Sequence, residues 1–494
     1  MDIRKTEMNK KALIIGSGIG GIATSIRLAL KGYDVTIFEK DSGPGGKLNV
    51  LQLGNYRFDL GPSLFTMPHF VTELFELAGK DPADYFTYKK VDLACRYFWE
   101  DGLVMNDWSD PEKLAEESFQ KLGAEKQRVT NYIRHAIKLY DKTAPVFLQK
   151  SLHQWKNYLS ADWLKAGTYF PNMDIFKTMD KANRQRLGHP RLVQMFNRMA
   201  TYNGSSPYKA PGILAIITSL EHGPGVFFPE KGMYSITRSL VRLAEELGVT
   251  FRYSEEVTSI LHSNKKVKGI KTNKGEYEAE TVVSNMDVVH TFRKLMKDIP
   301  EPTRTLNQER SSSALVFYWG MKNSYPELDL HNIFFSDNYP KEFQYIFDKL
   351  EMYDDPTVYV HISSKESPAD APDGHENWFV MVNAPHNEGQ DWQGIAKVTR
   401  KNIIDKLSRI LGKNVEEDIA IEYVFDPPAI ESKTSSWRGS LYGTSSNSKF
   451  AAFLRHPNFT RKMKGLYFVG GSVHPGGGIP LCLQGAKILG EVIC

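Results

Sequence analysis

Short, unbroken apolar runs closed by glycine recur at both ends of the chain and once near its middle. Leu13 to Ile15 opens into Gly16-Ser17-Gly18-Ile19-Gly20-Gly21, and the next run, Val35 to Phe38, is closed by Glu39. Runs without polar alternation predict parallel strands buried on both faces, here with a helix between them. Downstream, Ile236 to Ala244 keeps helical spacing up to Gly248, and Val249 to Tyr253 reads as a strand. Val267 to Thr272 and Glu276 to Val283 are predicted to form a hairpin turning at Asn273-Lys274-Gly275. Leu466 to Val469, then Gly470 and Gly471, then a helix from Pro480, repeats the order strand, glycines, helix. Residues 1–88, 222–299 and 427–494 are therefore expected to build one nucleotide-binding domain of α/β class.

Two insertions separate these segments. Strand-like runs at Ala314 to Trp319 and Trp378 to Val382, with a helix near Ile395 to Leu411, assign residues 300–426 together with 89–110 to a mixed-sheet substrate domain. Residues 111–221 read as mostly helical. Within them, from Gln149 to Met199, nine Lys/Arg face three Asp, interleaved with Trp155, Tyr158, Trp163, Tyr169, Phe170 and Phe176. That mixture suits a surface helix region lying on anionic lipid, and a solvated basic face over an aromatic core is the competing reading.

The length of 494 residues points to two or three domains, and 41% hydrophobic with 24% charged residues is the balance of a globular protein. A formal charge of +4 gives no basis for nucleic-acid binding. Cys95, Cys482 and Cys494 are few and far apart, which argues against a disulfide framework and fits a reducing compartment. Met1 to Lys10 is polar and the apolar run after it is too short for a signal peptide, so secretion is not expected. No run is long enough to span a bilayer, which leaves peripheral contact.

The chemistry begins at Gly16, Gly18 and Gly21. Their G-x-G-x-x-G spacing between a strand and a helix allows a tight turn, close approach of backbone to a pyrophosphate, and close helix packing, in that order. Glu39 at the end of the second strand would accept hydrogen bonds from a ribose diol. A second glycine loop, Gly43-Pro44-Gly45-Gly46-Lys47, precedes Asp59-Leu60-Gly61-Pro62-Ser63.

Over nearly its whole length the chain resembles the bacterial phytoene-desaturase-type carotenoid desaturases, within the larger flavin amine-oxidase-like group. The most specific pieces are Tyr467-Phe468-Val469-Gly470-Gly471-Ser472-Val473-His474-Pro475-Gly476-Gly477-Gly478-Ile479-Pro480 and Asp59-Leu60-Gly61-Pro62-Ser63. Weaker ones are Arg96 to Gly102, His189-Pro190 with Tyr202-Asn203-Gly204, and Phe228 to Met233. The resemblance implies a Rossmann-like FAD-binding domain assembled from discontinuous segments, with the inserted mixed-sheet domain and a helical membrane-associating subdomain. It implies FAD held non-covalently, with Gly16, Gly18, Gly21, Glu39, Gly46 and Lys47 around the ADP half and Val257 beside the adenine. Gly470, Gly471, Ile479 and Pro480 would border the ribityl chain and the ring, and Pro62 and Ser63 are further cofactor candidates. The larger group often ends the comparable strand in Gly-Asp where this chain has Gly471-Ser472, a change the carotenoid branch tolerates.

The implied activity is desaturation by hydride transfer to flavin and proton loss. The segments around Ser63 and Arg96 look most like the branch that desaturates the 3,4 bond of 1-hydroxylated acyclic carotenoids. Multi-step phytoene desaturation, carotenoid cis–trans isomerisation and a flavin-free isoprenoid escort are the rivals. Arg96, Tyr202, His189 and His474 are the polar catalytic candidates. Against them stand a salt bridge from Arg96 to Glu100 or Asp101, helix capping by His189, packing by Tyr202, and flavin positioning by His474. No second nucleotide fingerprint is present, so the expected electron acceptor is a quinone or dioxygen. The expected location is cytoplasmic, on the inner face of the plasma membrane, and self-association there is compatible with the sequence.

Overall fold

The computed structural model describes residues 10–448, 451 and 453–493; most of the polar N-terminal segment and Cys494 lie outside the described residues. A five-stranded sheet holds, in order across it, Leu466–Phe468, Thr281–Ser284, Lys11–Ile15, Asp34–Phe38 and Thr250–Arg252. Every pairing in it is parallel. The central strand shows why the apolar run does not alternate. Ala12 and Ile14 pack with Ile22 and Ile26 of the helix Ile19–Ala29 and with Leu483 and Ala486 of the helix Ile479–Val492. Leu13 and Ile15 point the other way, onto Val257, Ile260 and Val267. Two cores thus meet across one strand, and the first and last helices of the chain lie on the same face.

The expected hairpin forms only in part. Glu276–Glu278 pairs antiparallel with Lys266–Thr272, but Thr281–Ser284 leaves it and enters the parallel sheet beside Lys11–Ile15. The residues explain the split. Glu276 and Glu278 are exposed, as an edge strand requires, whereas Val282 and Val283 are apolar neighbours that need burial on both faces.

A seven-stranded mixed sheet runs in the order Ile419–Phe425, Ser313–Met321, Glu376–Ala384, Val358–Ile362, His331–Phe334, Leu93–Phe98, Val104–Trp108. Both insertions feed it, joined by the parallel pairing of His331–Phe334 with Leu93–Phe98. Ser313–Met321 is buried at every position. Leu315, Phe317 and Trp319 pack on the side of Ile403 and Leu407 from the helix Trp392–Leu411. The opposite face, with Val316 and Tyr318, fronts an internal chamber. Helices from Pro111–Leu122 to Thr218–His222 cover that chamber. Among the described residues no helix is long and apolar enough to cross a membrane.

Candidate active site

The Gly16 turn fixes the first cavity. Gly16 has φ +93°, a conformation that side-chain-bearing residues rarely adopt. A Cβ on Gly18 would lie 2.7 Å from Asn285 Nδ2, and one on Gly21 would lie 2.3 Å from the Gly16 carbonyl oxygen. Gly21 therefore serves helix-to-strand packing, while Gly16 and Gly18 line the cavity. The helix Ile19–Ala29 starts without a side-chain cap, so its first N–H groups face the cavity unpaired by any cap. Glu39 is buried at the cavity wall. Its Oε2 accepts from the Ser17 N–H and hydroxyl, each at 2.8 Å, and its Oε1 accepts from the Asp41 N–H at 3.1 Å.

Gly46, Lys47, Pro62 and Val257 complete one side of this cavity, and Gly470, Gly471 and Ile479 the other. The Lys47 ammonium donates to the Leu441 carbonyl at 2.6 Å, and burial lowers its pKa. A desolvated cation, bare helix N–H groups and glycine-only approach are what a dinucleotide's phosphates need, so the residues present fit FAD. Two wall residues escaped sequence reasoning. Asn285, at the end of Thr281–Ser284, stands behind Gly16, Gly18 and Gly470, and Asp287 supplies a carboxylate to the wall. Both were hidden when this stretch was read as a hairpin arm. Ser472, at the position where a carboxylate is often found, instead accepts the Val288 N–H at 3.0 Å.

The first cavity opens into the chamber between the mixed sheet and the helices. Lys47, Pro62, Leu441, Gly477, Gly478 and Ile479 belong to the walls of both. Ser63 and Pro480 lie on the chamber side of this junction. The chamber is otherwise mainly apolar, with Val316, Phe379 and Met381 on the sheet side and Phe147, Leu214 and Ile217 on the helical side.

Of the four catalytic candidates, the structure places two in the chamber wall. Tyr202 donates its hydroxyl hydrogen to Glu221 and accepts from Arg198 Nη1 at 2.9 Å. Arg198 in turn donates from Nε and Nη2 to the Tyr97 hydroxyl at 3.0 and 2.8 Å, and Tyr97 reaches Asp107 at 3.3 Å. Burial raises the Tyr202 pKa well above its usual value and pushes Asp107 up to about 6. Arg198, Glu221 and Asp107 come from separate elements, and nothing in the sequence marks them as a set. His474 lines the chamber with its Nε2 2.9 Å from the Lys150 carbonyl, and burial pushes its pKa down to about 4. It is a neutral imidazole at physiological pH.

Arg96 and His189, the other two candidates, do not line the chamber. Arg96 lies on Leu93–Phe98 between Cys95 and Tyr97, and strand alternation turns it away from the face those two present to the helices. Its Nε donates to Asn106 at 2.9 Å, one Nη donates to the Glu327 carbonyl at 2.8 Å, and the other is 3.5 Å from Asp329. Neither expected partner is used: Glu100 pairs with Arg409 and Asp101 with Arg191. His189 caps the helix Pro190–Asn197, its Nδ1 accepting the Arg191 N–H at 3.3 Å, and it does not reach the chamber. Cys95, in contrast, lines the chamber.

A polar chain beside the junction was also missed. The Ser63 hydroxyl is 2.8 Å from the Tyr359 hydroxyl, which is 2.8 Å from His331 Nδ1.

A glycine cradle for a dinucleotide that shares its wall with a mainly apolar chamber is the working arrangement of an FAD-dependent oxidoreductase. Its class is set by where the two spaces meet. The chain belongs to the flavin containing amine oxidoreductase family, which matches residues 19–488. It is 51% identical over 484 residues to a 1-hydroxycarotenoid 3,4-desaturase of Flavobacterium sp. (strain P99-3), covering 98% of this chain and 99% of the relative. It is 32% identical to a 4,4'-diapolycopene oxygenase of Methylomonas sp., covering 98% of each. Among solved structures, an oxidoreductase from Methanosarcina mazei shares the fold, with a TM-score of 0.65 at 13% identity over 97% of this chain and 100% of that one.

Proposed function

We propose that this flavoenzyme forms the 3,4 double bond of a 1-hydroxylated acyclic carotenoid. The observation that carries the reading is the shared wall of the two cavities at Pro62, Gly478 and Ile479, which puts an elongated apolar molecule against the dinucleotide site. The 51% identical relative supports the choice of bond and substrate. When bound, FAD supplies the two-electron acceptor for a hydride. The chain's own residues do the rest. The apolar walls orient the polyene and exclude water, and the carbocation character left by hydride loss spreads along the conjugated chain. His474 stays uncharged in that wall and adds no repulsion. The adjacent carbon's proton passes to the Tyr202 oxygen as the hydroxyl hydrogen moves to Glu221.

The enzyme works from a membrane surface. Trp155, Leu159, Leu164 and Phe176 are 68%, 79%, 76% and 73% exposed, and Lys156, Lys165 and Lys177 stand among them. Leu148 and Gln149, which lead into this segment, line the chamber, so lipid contact lies next to a route for substrate. A quinone or dioxygen takes the electrons, and the setting is the cytoplasmic face of the plasma membrane. Purified protein with FAD, anionic liposomes and a carotenoid panel tests the reading by product mass. A product two hydrogens lighter from the 1-hydroxylated substrate, with phytoene nearly untouched, is expected. Unchanged mass would make it an isomerase, added oxygen an oxygenase, and preference for phytoene a phytoene desaturase.

A further inference from the structure

We propose that Ser63, Tyr359 and His331 form the seat for the substrate's tertiary hydroxyl, and so decide which carotenoid end is accepted. The inference deepens the reading above and rests on it. Only three covalent bonds, each about 1.5 Å, separate an oxygen on C1 from C3, one of the two reacting carbons. The group that holds this oxygen must therefore stand beside the place where hydrogen leaves. That place is the junction of the two cavities, and Ser63 follows Pro62, which belongs to both walls.

The three residues come from separate elements: the loop after Tyr56–Leu60, the strand Val358–Ile362 and the strand His331–Phe334. The two strands are antiparallel neighbours and present Tyr359 and His331 to the same chamber. The chain of hydrogen bonds leaves capacity unused. Tyr359 has two partners and room for a third, and Ser63 uses one of its three positions. His331 is 3% exposed, and its Nε2 is buried with no hydrogen-bond partner. Burial, followed by His361 and Arg198, holds His331 well below the usual histidine range, so its ring is neutral. A neutral imidazole offers one N–H and one lone pair, and the sense of the Ser63–Tyr359–His331 chain is reversible. An alcohol both donates and accepts, so it completes the chain in either sense. A carboxylate or an ammonium completes only one, and a methyl offers nothing to the positions that the chain leaves unused, which is costly in a buried site. A site built around a hydroxyl penalises the analogue lacking it for that reason.

The test compares wild type, Tyr359→Phe and Ser63→Ala on a 1-hydroxylated carotenoid and its non-hydroxylated counterpart. Two quantities are read: kcat/KM for each, and binding of each to the FAD-loaded protein by tryptophan quenching. Retained flavin absorbance and circular dichroism check folding. The expected result is that both variants lower the hydroxylated-to-non-hydroxylated ratio at least tenfold, in kcat/KM and in affinity. A wild-type preference for the hydroxylated substrate that survives in both folded variants overturns the hydroxyl seat alone. A wild-type protein that prefers the non-hydroxylated carotenoid overturns the functional reading, and the seat with it.

Discussion

At the scale of single residues, identity matters most where a neighbouring atom leaves no room for a methyl group. Gly18→Ala places a methyl 2.7 Å from Asn285 Nδ2, so the variant is expected to purify with at least tenfold weaker FAD retention, read from flavin absorbance after gel filtration. Tyr202→Phe removes the hydroxyl that bridges Arg198 and Glu221, and kcat is expected to fall about 10²-fold with flavin still bound, measured by single-turnover kinetics. Burial pushes His135, His361, His456 and His474 down to about 4. The unfolded chain binds protons at these positions from about pH 6.5 downward, before the folded chain does. The stability that these four rings contribute is therefore present above pH 6.5 and is lost as pH falls toward 4, offset in part by the buried carboxyl groups of Asp107 and Glu342, whose raised pKa values act in the opposite sense. Thermal melts of the FAD-loaded protein across that window should show Tm dropping with acidity, and a flat Tm would contradict the burial of these rings. The glycines and Glu39 were legible in the sequence because strand, turn and acid come in a fixed order. Arg96 was not, because its motif says that it lies on a strand but not which face it takes. The Arg198, Glu221 and Asp107 network had no local signal at all.

Among the elements, buried parallel strands were the clearest in sequence, since two-sided burial leaves an unbroken apolar run. Lys11–Ile15, Asp34–Phe38 and Leu466–Phe468 all follow that rule. The hairpin reading failed at Thr281–Ser284 because a short strand next to a turn looks alike whether it pairs locally or with a strand 269 residues away. That error concealed Asn285, whose place behind five glycines depends on the parallel pairing. The segment from Trp155 to Phe176 leaves the large apolar side chains of Trp155, Leu159 and Leu164 exposed. Burying each large apolar side chain in the interface contributes about 1.5–3 kcal/mol, so Trp155→Ser with Leu159→Ser should weaken sedimentation with anionic vesicles at least tenfold. Unaltered sedimentation of a folded double variant would remove this segment from the membrane face.

For the molecule as a whole, one parallel sheet gathers strands from the beginning, middle and end of the chain, and the two insertions close over it as sheet and helices. This convergence makes the dinucleotide cavity and the apolar chamber neighbours, joined at Lys47, Pro62, Gly478 and Ile479. Desaturation follows from that adjacency more than from any single acid or base. Anaerobic mixing of FAD-loaded protein with one equivalent of 1-hydroxylated carotenoid tests it most directly, following flavin absorbance and the polyene band together. The account predicts that the flavin bleaches in step with a red shift of the polyene, one double bond gained per flavin reduced. A polyene that changes while the flavin stays oxidised, or a flavin that never responds to bound carotenoid, would contradict it.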